Sequence, residues 1–240
     1  MKRSLADWTK DDPYWSTMEA NFQSHAGTGT PGEGENPDGT IGKDRLAWYF
    51  LSVDLFHGNS TLVANTGFRC DSAKYLKGGK GCAFDYGVTV WPLIVGENGK
   101  THNWKTKDVA QHIYDATTNP NSTIPRKEGT KEIPGAPKSM TPLTRTRDAN
   151  QIDQNRGRSI GACKAEWGDG YSEGNTYQCD EFPMASTNQG ADSGANKEEN
   201  NFSVRVLPRE ENEGAGRFLG WWYKNYRIVD NDAFWVVVRL

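Results

Sequence analysis

Cys179-Asp180-Glu181-Phe182-Pro183-Met184-Ala185-Ser186-Thr187 is the stretch on which the reading of this chain turns. Tyr177 to Asp180 reads as a short strand, and Glu181 to Asn201 as a long polar loop. Phe202-Ser203-Val204-Arg205-Val206-Leu207-Pro208 alternates, which puts Phe202, Val204 and Val206 on one face of a second strand. Glu210 to Asn225 then reads as a helix despite Gly214, Gly216 and Gly220, with acidic residues in its first turn, where the helix dipole favours them. This order of strand, long loop, strand and helix sets a carboxylate, Asp180, at the end of the first strand. It sets a carboxamide, Asn212, in the first turn of the helix.

Working outward, Asp148 to Trp167 holds a helix around Ile152 to Ala165. Lys107 to Thr117 is a clearer one, because Val109, His112, Ile113 and Ala116 recur at i, i+3, i+4 and i+7, Thr106 can cap it, and Asn119-Pro120 stops it. The Pro- and Gly-rich run from Asn121 to Met140 is loop. Leu46 to Phe56, Ser60 to Phe68 and Ala83 to Val95 are β-prone and predict a small antiparallel sheet in the N-terminal half, and Phe234 to Leu240 is a closing strand. Residues 1 to about 45 lack periodicity and read as an irregular arm, ordered only if Trp8, Trp15 and Phe22 dock. The expectation is therefore an α+β chain with an antiparallel β N-terminal half.

The 240 residues suffice for a substantial core, and with 9 Trp, 9 Tyr and 9 Phe its apolar area comes largely from aromatics set among polar loops. Mean hydropathy is -0.79, and no run approaches the roughly 18 apolar residues of a membrane span. Met1-Lys2-Arg3 has the charge of a leader, but the chain turns polar before an apolar segment appears. Either export was not needed, or the chain begins after its leader. The cysteines fall as two pairs, Cys70 with Cys82 and Cys163 with Cys179. Each pair spans a polar, Gly-containing loop suited to a disulfide, although four cysteines allow three connectivities. A zinc site competes, but these spacings lack tight Cys-x-x-Cys arms. Two disulfides favour an oxidising compartment and hence a secreted protein. The net charge of -3 argues against a protein that coats nucleic acid with its whole surface. Between Arg126 and Arg158, however, eight basic residues face four acidic ones, which makes either a solvated loop or a strip for phosphates.

Cys179 to Thr187 resembles the Asp-Glu-aromatic-Pro-Met/Phe-Ala signature of the NucA/NucB deoxyribonuclease family, in its secreted actinobacterial-type branch. Asn212-Glu213-Gly214-Ala215-Gly216 resembles that family's Asn-x-Gly-Ala-Gly run, and Ala110 to Ala116 its His-Ile-x-Asp-Ala helix. Arg69-Cys70-Asp71, Pro142 to Arg145, Asn155-Arg156 and Arg227 to Val236 are further matches. The resemblance runs in order over about residues 69 to 240, leaving 1 to 68 as an N-terminal arm and β region packed on the core. It implies a ββα-metal nuclease-like core and a metal-dependent, sequence-non-specific endonuclease of DNA. Asp180 would be the general base, and a carboxylate in that role needs no tautomer control. Asn212 would hold Mg²⁺ or Mn²⁺, and Glu211 would bind it through water. Glu181 points to the opposite strand face from Asp180 and would anchor or assist. Arg156 and Arg158, then Arg145 and Arg217, would clamp phosphate. Asp180→Ala is expected to remove cleavage and leave the melting temperature nearly unchanged.

Blander readings compete for the same residues. Asp-Glu-Phe-Pro also makes a simple turn, Asn212 an N-cap, His112 a satisfied core histidine, and Trp221-Trp222-Tyr223 core packing. A disulfide-bonded carbohydrate- or ligand-binding β module is the alternative without catalysis. A nuclease toxin delivered to neighbours, with an immunity or inhibitor protein as partner, is the alternative with it. A monomer is expected.

Overall fold

The computed structural model describes residues 46–57, 60–84, 88–193 and 199–240. The docking expected of Trp8, Trp15 and Phe22 lies outside them. The architecture is α+β. Strands β1 (Leu46–His57) and β2 (Ser60–Asp71) form a long antiparallel hairpin, and β3 (Gly81–Phe84) pairs antiparallel with β2. Cys70 lies opposite Cys82 in that pairing and is disulfide-bonded to it. The boundary expected at residue 68 falls inside β2, which is continuous through that position.

Ala83 to Val95 is not one strand. It divides between β3 and β4 (Thr89–Ile94), and β4 belongs to a second sheet of order β4-β10-β7, with β10 (Ala233–Arg239) in the centre and β7 (Leu143–Thr144) at the edge. β4 runs parallel to β10, so the C-terminal strand closes the sheet beside an element about 140 residues earlier. Alternation drives that placement. Trp91 and Leu93 are buried while Val90 and Ile94 face outward.

A short hairpin, β5 (Lys100–Thr101) with β6 (Trp104–Lys105), leads into helix α1 (Lys107–Thr118), whose Val109, His112, Ile113 and Ala116 are all buried, as their spacing requires. Thr106 does not cap α1, because its hydroxyl donates to Thr101 Oγ1. The Asp108 N–H instead donates to the Glu211 carboxylate, so an acid from another helix serves the amino end of α1. Helix α2 (Ala149–Trp167) is longer than its periodicity indicated, since Asp148 accepts the N–H groups of Asn150 and Gln151 and fixes its start early.

Strands β8 (Tyr177–Phe182) and β9 (Ser203–Pro208) pair antiparallel, with Asp180 opposite Arg205, and β9 runs directly into helix α3 (Arg209–Asn225). This hairpin has two buried faces. Cys179, Val204 and Phe202 pack with Cys163 on the α2 side, where the Cys163–Cys179 disulfide joins strand to helix. Asp180 and Ser203 turn the other way, to α1. The zinc reading of the cysteines falls, because both pairs are disulfide-bonded. The main core gathers Trp91, Ile113, Phe218, Trp222 and Phe234 between the second sheet and helices α1 and α3, so Trp222 and Tyr223 are core, as read. Gly214 lets α3 lie on β6: a Cβ there would stand 2.2 Å from the Lys105 carbonyl oxygen. No helix among the described residues is long and apolar enough to cross a membrane.

Candidate active site

Because strand side chains alternate, Gln178, Asp180 and Phe182 share one face of β8, while Cys179 and Glu181 share the other. The carboxylates of Asp180 and Glu181 are thus split between faces, yet both reach the wall of one open cavity of about 410 Å³ at the end of the hairpin. Asn212 of α3, Arg156 of α2, and Arg145 and Arg147 of the segment after β7 line the same cavity. Two residues 32 positions apart in sequence, Asp180 and Asn212, therefore face a common space.

Asp180 is 7% exposed, and its position is set by a histidine. His112 is fully buried on α1. Its Nδ1 lies 2.6 Å from Asp180 Oδ2, and its Nε2 lies 2.7 Å from Ser203 Oγ on β9. A carboxylate only accepts, so Nδ1–H donates to Asp180, and in the neutral ring Nε2 then accepts from the Ser203 hydroxyl. The residues around His112 also serve this docking. Three positions further along α1, Asp115 takes an ion pair from Arg205 at 2.8 Å, pinning α1 across the hairpin. Asp180 Oδ1 has no donor among the described residues, which leaves that oxygen for a molecule in the cavity.

Asn212 is not an N-cap; Pro208 occupies that position without a side-chain cap. The Asn212 Nδ2 donates to Gln178 Oε1 at 3.0 Å, two residues before Asp180 on the same strand face. Gln178 thus fixes the amide with Oδ1 unengaged among the described residues. An amide oxygen held this way, in an open cavity that two carboxylates also line, fits a hard divalent cation that keeps most of its water. Glu211 is directed elsewhere: its carboxylate meets the amino end of α1, outside the cavity wall, and loss of hydration raises its pKa.

Burial, reinforced by the neighbouring Asp180 charge and opposed by Arg156, pushes the Glu181 carboxyl up to about 7. Arg156 is 60% exposed at its side chain and among the described residues makes only a long 3.9 Å ion-pair contact, with Asp153, so its guanidinium is available at the cavity. Arg145 is more confined. It donates to the Ile228 carbonyl, lies 4.4 Å over the Tyr223 ring, and has its pKa lowered by desolvation. The structure separates the other two expected clamps from this group. Arg158 donates to Asn200 and leans on Phe202, on the far side of α2, and Arg217 pairs along α3 with Glu213.

The loop after Asp180 is held by Asn155, whose Nδ2 donates to the carbonyls of Ala185 and Thr187 and whose Oδ1 accepts the Asp192 N–H. Gly190 lies so close that a Cβ would stand 2.2 Å from Asn155 Nδ2. Sequence reasoning missed Gln178 and Ser203 as members of the site, counted Arg147 in the basic strip without naming it a clamp, and read His112 as a satisfied core histidine without naming its partners. A buried polar position on an otherwise apolar helix face was the one available signal for His112, since such a group needs a partner.

Neither the curated proteins nor the solved structures include a match to this chain. A family match covers less of the chain than the resemblance expected over 69 to 240, and leaves His112 and the Arg69 run outside it. Residues 132–237, which carry Asp180, Glu181, Asn212 and all three cavity arginines, match the family described as deoxyribonuclease NucA/NucB.

Proposed function

We propose that the protein is a secreted endonuclease that hydrolyses DNA phosphodiester bonds without sequence preference, using Mg²⁺ or Mn²⁺. The observation that carries this reading is the convergence of Asp180, Asn212 and Arg156 on one cavity within a segment matched by a deoxyribonuclease family. The strand, loop, strand and helix that present Asp180 and Asn212 support assignment to a ββα-metal core. The two disulfides support an oxidising location and thus export. A monomer suits the reading, and an immunity protein belongs to it only if the nuclease is a delivered toxin.

In this mechanism Asp180 Oδ1 accepts a proton from the attacking water while His112 holds Oδ2, so the free oxygen is aimed at the cavity. Asn212 Oδ1 would hold the cation, whose positive charge would relieve the negative charge that develops during hydrolysis. Arg156 orients the phosphate through its fork of N–H donors. Closed circular plasmid is therefore expected to be nicked and linearised with Mg²⁺ or Mn²⁺ and to stay intact with excess chelator. Intact plasmid in both arms would leave the binding-module reading standing.

Glu181 gives a pH dependence of defined sign. Its proton is bound more tightly in the folded than in the unfolded chain, so this group favours the fold at low pH. That contribution is lost as pH rises from the usual 4.5 to about 7. In catalysis the neutral carboxyl adds no charge beside a phosphate, whereas the ionised one repels it. KM for DNA is expected to rise between about pH 6 and about pH 8 in the wild type, and Glu181→Gln should flatten that rise. An identical rise in both proteins would assign it to another group.

A further inference from the structure

Arg147 is not one of the positions at which the family signature places a function, yet it sits in the cavity wall with its charge unspent. Its backbone N–H is held by Asp230 at 2.9 Å. No acceptor for its guanidinium lies among the described residues. What holds the side chain is a ring: the guanidinium carbon lies 3.3 Å over the centroid of Tyr75, and Arg145 lies 5.3 Å over the same centroid. Stacking on an aromatic face satisfies a guanidinium without using its N–H groups, and leaves a planar fork directed outward. Arg145 is already committed to Ile228, so Arg147 is the better placed of the two to take a ligand.

Tyr75 comes from outside the segment matched by the deoxyribonuclease family. It lies in the loop closed by Cys70–Cys82, and that loop is clamped to the C-terminal part of the chain at several points. Arg227 makes a two-pronged ion pair with Asp71 and also donates to the carbonyls of Lys77 and Gly79. Arg69 pairs with Asp232 at 2.5 Å, and the Lys77 N–H donates to the Lys224 carbonyl. Tyr75 itself packs beside the buried cluster of Ala73, Leu76 and Val229. So many ties to a surface loop hold one ring in a fixed place beside the cavity.

We infer that Arg147, held flat by Tyr75, grips a backbone phosphate of the DNA adjacent to the one cleaved, with Tyr75 as its positioning residue. The inference rests on the nuclease reading for its ligand. A polyanion with a charge on every nucleotide is the substrate that gains from a second fixed fork beside the reaction site. Since the guanidinium meets phosphate and no base, the grip adds affinity without sequence preference.

The test is binding, kept apart from cleavage. The full chain is titrated onto a fluorescein-labelled DNA duplex in chelator, with anisotropy read over a range of salt. Arg147→Gln is expected to raise Kd about tenfold and to flatten the slope of log Kd against log salt by about 0.9, the loss of one phosphate contact. Tyr75→Leu should raise Kd several-fold, and Tyr75→Phe, which keeps the ring, should bind DNA as the wild type does. Arg147→Gln with unchanged Kd and slope would overturn the grip, as would a Tyr75→Phe as weak as Tyr75→Leu. A wild type that binds no DNA would overturn it too. If the wild type binds with the expected arginine dependence but cuts no plasmid with Mg²⁺, the nuclease reading fails and the grip stands.

Discussion

Asp180→Asn is expected to lower the initial rate of plasmid cleavage with Mg²⁺ by about 10²- to 10⁴-fold, the range supplied by a positioned general base. Asparagine keeps the shape of the side chain and an oxygen that still accepts from His112 Nδ1, so the buried contact at 2.6 Å survives. What it loses is the ability to take a proton from water. The measurement pairs the initial rate with the melting temperature, and a rate within threefold of wild type would move the base elsewhere. Asp180→Ala is the poorer variant. It leaves the fully buried His112 with an N–H and no acceptor, at a cost of about 1–3 kcal/mol. The expectation that alanine would leave the melting temperature nearly unchanged took no account of the buried contact with His112, and at 7% exposure Asp180 is part of that contact.

The same contact explains how much of the site was legible in advance. Asp180 and Asn212 are read from local order, because a strand end and a helix start are set by period and punctuation within a few residues. The helix containing His112 was equally legible, since Val109, Ile113 and Ala116 fix its apolar face. Nothing within the helix says that His112 meets Asp180, 68 residues on, or Ser203, 91 residues on. Those partners follow from how α1 crosses the hairpin, which is a tertiary fact. Splitting of Ala83 to Val95 between two sheets failed to show for the same reason: a β-prone run carries no mark of its partner, and here the partner is the C-terminal strand. Charge counting fared worst. It placed Arg145, Arg147, Arg156 and Arg158 in one basic strip, and the clamp reading set Arg156 and Arg158 ahead of Arg145 and Arg217, with no means of asking which are already occupied. Arg217 and Arg158 are engaged within their own surroundings, while Arg147, counted in the strip but not named a clamp, is left open by the stacking of Tyr75, 72 residues earlier.

Asn212→Leu is expected to reduce cleavage at saturating DNA by about 10²- to 10³-fold and to raise the Mg²⁺ concentration for half-maximal rate beyond the range in which the wild type saturates. Leucine has a similar volume but no oxygen, and α3 is held by Phe218, Leu219 and Trp222 in the core rather than by this side chain, so the helix should stay in place. Gln178 then separates a ligand from a structural amide. If Asn212 merely ties α3 to β8, losing either end of the Asn212–Gln178 hydrogen bond should have the same effect. If its oxygen holds the cation, Gln178→Ala should cost far less than Asn212→Leu, because the amide loses its support and keeps its donor atom. Raising the metal concentration should recover most of the Gln178→Ala rate and little of the Asn212→Leu rate. Equal losses in the two variants, with no recovery in either, would assign Asn212 to the fold and leave the cation to other groups in the cavity.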